Sequence, residues 1–304
     1  MLNVTFKQLR YFDALATQGH FTRAAEVCAI SQPALSMQIR DLEATLGHAL
    51  FERGGRGLRL TRFGQDFVLR ARDILRAVAD LEDLARAQGP GLAGRLNLGV
   101  IPTIAPYLLP RLVGNLRQAH PGLDLHLRET VTARLIEELS TGRLDAAIVA
   151  LPVDEPTLTE VTLFSESFVL IRAAAEAAKP VPDREALAQE KLLLLEEGHC
   201  FRDQALAYCG TNPGAQRDGL DGTSLATLVQ MVAAGLGMTL IPEMAIPVET
   251  RHTAVSIARF AGAQPGRRIG MVWRRRSPLT AQMHELAALV RRAAGAPEDG
   301  RPAG

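Results

Sequence analysis

Two of the three cysteines in the 304-residue chain, Cys200 and Cys209, stand nine positions apart in the stretch GHCFRDQALAYC. Gly198 ends what precedes it, and Phe201, Ala205 and Tyr208 then recur at helical spacing, which predicts a short helix with Cys200 in its first turn. A thiol there is a candidate nucleophile. The positive end of the helix, His199 and Arg202 would favour its thiolate, whereas Asp203 pushes the other way. The thiolate is the form that reacts with oxidants, giving a sulfenic acid that a second thiol can condense with. Nine residues at about 100° each bring Cys209 to the opposite helix face, about 13.5 Å along the axis. A disulfide needs Cα atoms within about 7 Å. Either the spacing couples oxidation to unwinding of the helix, or the two cysteines are unrelated and one is simply buried. A zinc site through His199, Cys200 and Cys209 lacks a fourth ligand at reasonable spacing.

The rest of the chain must position this segment. It is 47% apolar and 22% charged with a net charge of +1, which suits a globular protein of about two domains. The start, MLNVTFKQLRYF, carries Lys7 and Arg10 and no continuous apolar stretch, and no apolar run reaches about 18 residues. A cytoplasmic protein without a membrane partner is expected, a setting where structural disulfides are rare and paired cysteines serve metal binding, catalysis or redox sensing. Of the 34 basic Lys and Arg residues only Lys7, Lys179 and Lys191 are lysines. Arginine favours phosphate and carboxylate contacts, so the location of the basic residues matters more than their balance.

The first sixty residues read as three short helices and a hairpin. Phe6, Leu9, Phe12, Leu15 and Ala16 form one stripe between a Thr5 cap and a Gly19 stop. FTRAAEVCAI is a second helix, and Ser31 caps a third with Pro33 in its first turn. This third helix buries Leu35, Ile39, Leu42 and Leu46 and turns Gln32, Ser36, Gln38 and Arg40 outward, as the second helix of a helix-turn-helix does. Solvated polar residues on any small bundle would read the same way. The following LFERGGRGLRLT sets Arg53, Arg56 and Arg59 about a glycine turn, a wing able to reach phosphates.

A long helix follows from a Thr61 cap to Gly89-Pro90, with Phe67, Ala71, Ile74, Val78, Leu81 and Ala85 on a heptad seam that predicts dimerisation. From Arg95 onward strands and helices alternate: RLNLGVIP, LDLHLRET, LDAAIVA, KLLLLEE, MTLIP and RRIGMVW are strands, with helices between and a final helix LTAQMHELAALVRRA. The alternation predicts parallel sheets covered by helices in two lobes. Ligands of such folds sit at strand carboxyl ends, where Thr103, Thr132, Thr223 and Ser224 stand, although each also suits a simple cap.

In this order, FTRAAEVCAISQPALSMQIRDLEATLGHALFER, the linker helix and the two-lobed α/β region resemble the LysR-type bacterial transcription regulators along essentially the whole chain. EEGHCFRDQALAYC, GVIPTIAPYLLP and MVAAGLGMTLIP are further similar to the hydrogen-peroxide-responsive members of that family. The resemblance implies an α/β fold: a winged helix-turn-helix (residues 1–60), a linker and dimerisation helix (61–90) and a two-lobed, periplasmic-binding-protein-like regulatory domain (91–304). It implies a homotetramer built as a dimer of dimers on double-stranded promoter DNA, probing the major groove with Gln32, Pro33 and Ser36. It further implies hydrogen peroxide as signal, RNA polymerase and a cellular dithiol reductant as partners, and no cofactor. Cys200 would be the peroxide-reactive thiol and Cys209 the resolving one, with Thr103, Thr132, His199, Arg202, Asp203 and Arg267 around the reactive site. The family pattern RRTIG is RRIG here, which leaves Arg267 and Arg268 as alternatives for the residue facing the thiol. Cys28 reads as a small buried hydrophobe.

Three other functions fit parts of the pattern. A thiol peroxidase would use the same two cysteines but leave the helix-turn-helix idle. A LysR-type regulator of a metabolite would bind a small carboxylate in the cleft by Thr103 and Thr223. A periplasmic binding protein shares the two-lobed architecture but calls for a signal peptide.

Overall fold

The computed structural model describes residues 3–52, 58–89, 91–210, 221–262 and 264–296. The chain divides into two compact units, residues 1–85 and 86–304.

The first unit is set by local signals. Helix α1 (Phe6–Gln18) begins at Thr5, whose side chain accepts from the Gln8 N–H while Gln8 caps Thr5 in return, and it stops at Gly19 in the left-handed region. Helices α2 (Phe21–Val27) and α3 (Gln32–Leu46) are separated by four residues, and α4 spans Arg62–Ala87. Ser31 Oγ accepts from the Ala34 N–H at the start of α3, and Thr61 Oγ1 accepts from the Gly64 N–H at the start of α4. Phe12, Leu15, Leu35, Leu42 and Leu50 are fully buried, with Phe12 packed on the rings of Phe51 and Phe67. Leu46 is only half-buried. Gly64 is required at its position, because a Cβ there would lie 2.2 Å from the Leu50 carbonyl oxygen. The expected heptad seam of α4 divides: Phe67 and Ala71 pack into this unit's own core, whereas Ile74 and Leu81 are exposed.

In the second unit, β1 (Gly94–Val100), α5 (Ala105–Ala119), β2 (Leu123–Glu129), α6 (Thr132–Ser140) and β3 (Ala146–Leu151) form parallel crossovers, with β1 between β2 and β3. Then comes β4 (Leu158–Ala173), followed by α7 (Arg184–Leu187), β5 (Leu194–Leu195), α8 (Cys200–Cys209), β6 (Asp221–Gly222), α9 (Leu225–Ala233), β7 (Thr239–Pro242), α10 (Ile246–Glu249), β8 (Val255–Ala258), β9 (Gly266–Arg274) and α11 (Thr280–Ala294).

The expectation of parallel sheets requires correction. The larger sheet is mixed: β9 inserts antiparallel between β3 and β4, and β7 and β8 pair antiparallel with β4. Helix-strand alternation reveals crossovers, but not a strand returning from the far end of the chain to separate β3 from β4. The stretch KLLLLEE supplies only two residues of ladder, Leu194 and Leu195, although all four of its leucines are buried.

Two hydrophobic cores result, one around β1, β3, α5, α6 and α11 and the other around β5, β7, α8 and α9. Strand β4 joins them: residues 158–167 pair with β9, while Phe168 to Ala173 pair with β7 and β8. Thus the expected two lobes are present. Among the described residues no helix is long and apolar enough to cross a membrane.

Candidate functional site

Helix α8 lies across the two cores. Its first residue, half-buried Cys200, packs against the first core, while Phe201, Ala205, Leu206 and Cys209 belong to the second. The helix is continuous from Cys200 to Cys209 and both thiols are free. Burial pushes the Cys209 thiol up to about 11, against a smaller opposing pull from Arg184. The resolving candidate is therefore held as an inert thiol while the helix is intact.

The other candidates separate into two groups. Thr103 and Arg267 meet: the buried guanidinium donates from Nη1 to Thr103 Oγ1 at 2.7 Å and from Nη2 to the Thr103 carbonyl at 3.2 Å. The same guanidinium lies 5.4 Å from the ring centroid of Phe201, the neighbour of Cys200. Arg268, next along β9, is exposed, as strand alternation requires. Thr132 is the first residue of α6, and its Oγ1 is buried with no hydrogen-bond partner among the described residues. Thr103 and Thr132 follow the adjacent parallel strands β1 and β2, at the strand ends where the pattern placed them.

His199 is buried and occupies the N-cap of α8 without a side-chain cap bond, its Nε2 3.9 Å from Glu196 Oε1. Arg202 is buried and donates from Nη1 to the Leu195 carbonyl at 2.8 Å. Asp203 is exposed. Ser224 caps α9, its Oγ accepting from the Thr227 N–H, and Thr223 is exposed.

Sequence reading missed Glu166 on β4, whose Oε1 accepts from Nε of Arg267 at 2.7 Å and lies within ion-pair distance, 2.7 Å, of its Nη2. Burial pushes this carboxyl upward and Arg267 opposes the shift. Glu166, Arg267, Arg268, Gln204, Glu243 and Met244 line a pocket of about 860 Å³ beside the β4–β9 crossing. Also missed was Tyr107 on α5, whose hydroxyl donates to Glu249 Oε1 on α10 at 2.7 Å. A strand signal was present in VTLFSESFVLIRA, rich in β-branched and aromatic residues, but its partner strand was not legible.

In the first unit, Gln32, Pro33 and Arg40 are exposed on α3, and Ser36 and Gln38 are partly so. Arg40 Nε donates to the Ser36 carbonyl. Cys28 ends α2 half-buried, its thiol pushed up mainly by burial. At the base of the expected wing, Phe51 bridges Leu60 antiparallel and the Glu52 N–H donates to the Arg59 carbonyl at 2.9 Å. Arg53 and Arg56 lie outside the described residues.

Residues 6–65 match the family model of bacterial regulatory helix-turn-helix proteins of the lysR family, and residues 89–295 match the LysR substrate binding domain. The chain belongs to the LysR family. Within it, the chain is 42% identical over 294 residues to the DNA-binding transcriptional dual regulator OxyR of Escherichia coli, covering 95% of each. It is equally similar, over the same length and coverage, to the hydrogen peroxide-inducible genes activator of Dickeya chrysanthemi. A full-length OxyR variant from Pseudomonas aeruginosa matches with a TM-score of 0.75 and 37% identity, covering 95% of each chain. As a LysR family member the chain is a helix-turn-helix, DNA-binding transcription regulator with an α/β regulatory domain.

Proposed function

We propose that this LysR-family regulator senses hydrogen peroxide through Cys200 and converts the oxidation into a Cys200–Cys209 disulfide that refolds α8 and alters its grip on promoter DNA. The observation that carries the reading is the placement of two free thiols at the two ends of one ten-residue helix, each against a different core. At about 1.5 Å rise per residue they stand far beyond disulfide reach. Names of relatives that are hydrogen peroxide-inducible genes activators point the same way.

The Cys200 thiolate attacks one peroxide oxygen, breaking the O–O bond and leaving Cys200 as sulfenic acid, while the departing oxygen takes a proton and leaves as water. Thr103 Oγ1, Thr132 Oγ1 and Arg267 supply polar atoms to hold the peroxide, and His199 stands at the start of α8. The Cys209 thiol then condenses with the sulfenic acid, forming the S–S bond and releasing a second water. Unwinding α8 gives up its packing against both cores, so a cellular dithiol can reset the switch readily.

On DNA, two pairs of subunits would bind an extended site as a dimer of dimers, exposed Ile74 and Leu81 of α4 meeting their counterparts in a partner. Gln32, Pro33, Ser36, Gln38 and Arg40 of α3 would face the major groove, Arg53 and Arg56 the phosphates, and RNA polymerase would be the downstream partner of activation. The work is regulatory rather than enzymatic, in the cytoplasm, with no cofactor.

The deciding experiment is peptide mapping of the peroxide-treated full-length protein together with hydrogen exchange across residues 199–210. A Cys200–Cys209 linkage with lost protection in α8 is expected. The linkage with unchanged protection would show that no refolding accompanies it, and the absence of any linkage would remove the sensor reading.

A further inference from the structure

Resting on the sensor reading, we infer that Glu166 is a positioning residue for peroxide chemistry at Cys200, acting through Arg267. The guanidinium is held on three sides. Glu166 Oε1 accepts from Nε at 2.7 Å and pairs with Nη2 at 2.7 Å, Thr103 accepts from Nη1 at 2.7 Å through Oγ1 and from Nη2 at 3.2 Å through its carbonyl, and the rings of Phe201 and Phe168 lie 5.4 and 5.9 Å away. Its side chain has no exposure, and that of Glu166 has 7%. A buried guanidinium without a carboxylate would be costly and free to swing, so Glu166 fixes its direction as well as balancing its charge.

The backbone prepares this pairing. Glu166 and Arg267 are directly opposite in the β4–β9 ladder, so their side chains leave the same face of the sheet. Gly266, the residue before Arg267, permits the close approach: a Cβ there would lie 2.6 Å from the Glu166 carbonyl oxygen. The third side of the bracket, Phe201, is on α8 beside Cys200. Arg267 is therefore held rigidly toward the start of the helix that carries the reactive thiol, and Glu166 is what makes that hold independent of the thiol's own state.

The test is a double-mutant cycle in the full-length protein, reading the second-order rate of Cys200 oxidation by hydrogen peroxide and the pH profile of Cys200 alkylation by iodoacetamide. Glu166→Ala should slow oxidation roughly tenfold and move the alkylation midpoint to higher pH, because Arg267 no longer keeps its place. Glu166→Gln, which retains an acceptor oxygen for Nε, should fall between and guards against a failure of the alanine variant to fold. In an Arg267→Ala background neither substitution should cause further change. Equal losses with and without Arg267 would overturn the inference, as would wild-type kinetics in a folded Glu166→Ala protein. So would an alkylation midpoint that moves to lower pH, the direct effect of removing a nearby negative charge. Should wild-type Cys200 fail to react with peroxide, the sensor reading falls, while the alkylation profiles still decide whether Glu166 acts through Arg267.

Discussion

Helices α3 and α8 carry the residues assigned to DNA contact and to oxidation, and they are built in opposite ways. Both stop at a left-handed glycine, Gly47 with φ 69° and Gly210 with φ 68°. They differ at the other end. Ser31 caps α3 through its side chain and Pro33 sits in the first turn, whereas the N-cap of α8, His199, makes no side-chain cap bond. Helix α3 buries one stripe, Leu35, Ile39 and Leu42, in one core; α8 divides its packed residues between two, Cys200 against one and Phe201, Ala205, Leu206 and Cys209 in the other. Short helices owe most of their stability to tertiary packing, so a helix lacking a cap and depending on two cores is the one that local chemistry can undo. One helix is fixed by its own sequence; the other persists only while both cores hold it.

The largest effect should come from the thiol that begins α8. Cys200→Ser is expected to abolish the peroxide response entirely, with no disulfide and no change in DNA binding after treatment. Cys28 cannot replace it, since burial raises that thiol and it ends a helix rather than beginning one. Cys209→Ser should leave a sulfenic acid with no resolving thiol, so the response becomes short-lived and over-oxidation accumulates. Mass spectrometry after alkylation distinguishes the two variants. A Cys200→Ser protein that still responds would break the comparison at its root.

A smaller effect, confined to the other helix, separates reading from positioning. Gln32→Ala should reduce discrimination between specific and random DNA by about 10- to 100-fold, the worth of one good base contact. Arg56→Ala should instead weaken binding to all sequences and lower the salt slope by about one. Cys200 should oxidise at the wild-type rate in both. If the two variants lose affinity equally on specific and random DNA, the roles assigned to α3 and the wing fail.

How far each region could be read from sequence follows the same division. The caps of α1, α3 and α4, the Gly19 stop of α1 and the stripes of Leu9, Leu15, Leu35 and Leu42 are local signals, and the structure repeats them almost residue by residue. Strand β4 was missed and the sheet taken as parallel because β9 pairs with it across about a hundred residues, a relation no local periodicity carries. The site shows the same limit. Cys200, Cys209 and Thr103 were legible from residue type and position, whereas Arg267 came only through the family resemblance; of the two alternatives, Arg267 is the buried one and Arg268 is exposed. Glu166 was not legible, because its meaning lies entirely in the strand opposite.

The smallest and most discriminating effect is a matched pair of glycine substitutions. Gly210→Ala forces an alanine into the left-handed region with only ordinary contact to Arg184, its nearest atom at 3.6 Å, and Gly47→Ala imposes the same backbone strain with nothing within 4 Å. Each should cost about 1 kcal/mol locally, roughly a fivefold change in an opening equilibrium. In α8 that change has a chemical reporter. The buried Cys209 thiol, near 11 while the helix is intact, returns toward about 8.5 when exposed. At pH 8 its alkylation must therefore pass through opening, and Gly210→Ala should accelerate it about fivefold while Gly47→Ala leaves it unchanged. The sign with pH is fixed: the folded value lies above the unfolded one, so the protonated thiol favours the closed helix below about 8.5, and that contribution is lost as pH rises toward about 11. Cys209 alkylation should accordingly keep rising across that interval in the native protein, where an exposed thiol would level off above about 8.5. Equal acceleration by both substitutions would mean that opening is global rather than local to α8, and the contrast between a self-sufficient helix and a conditional one would not stand.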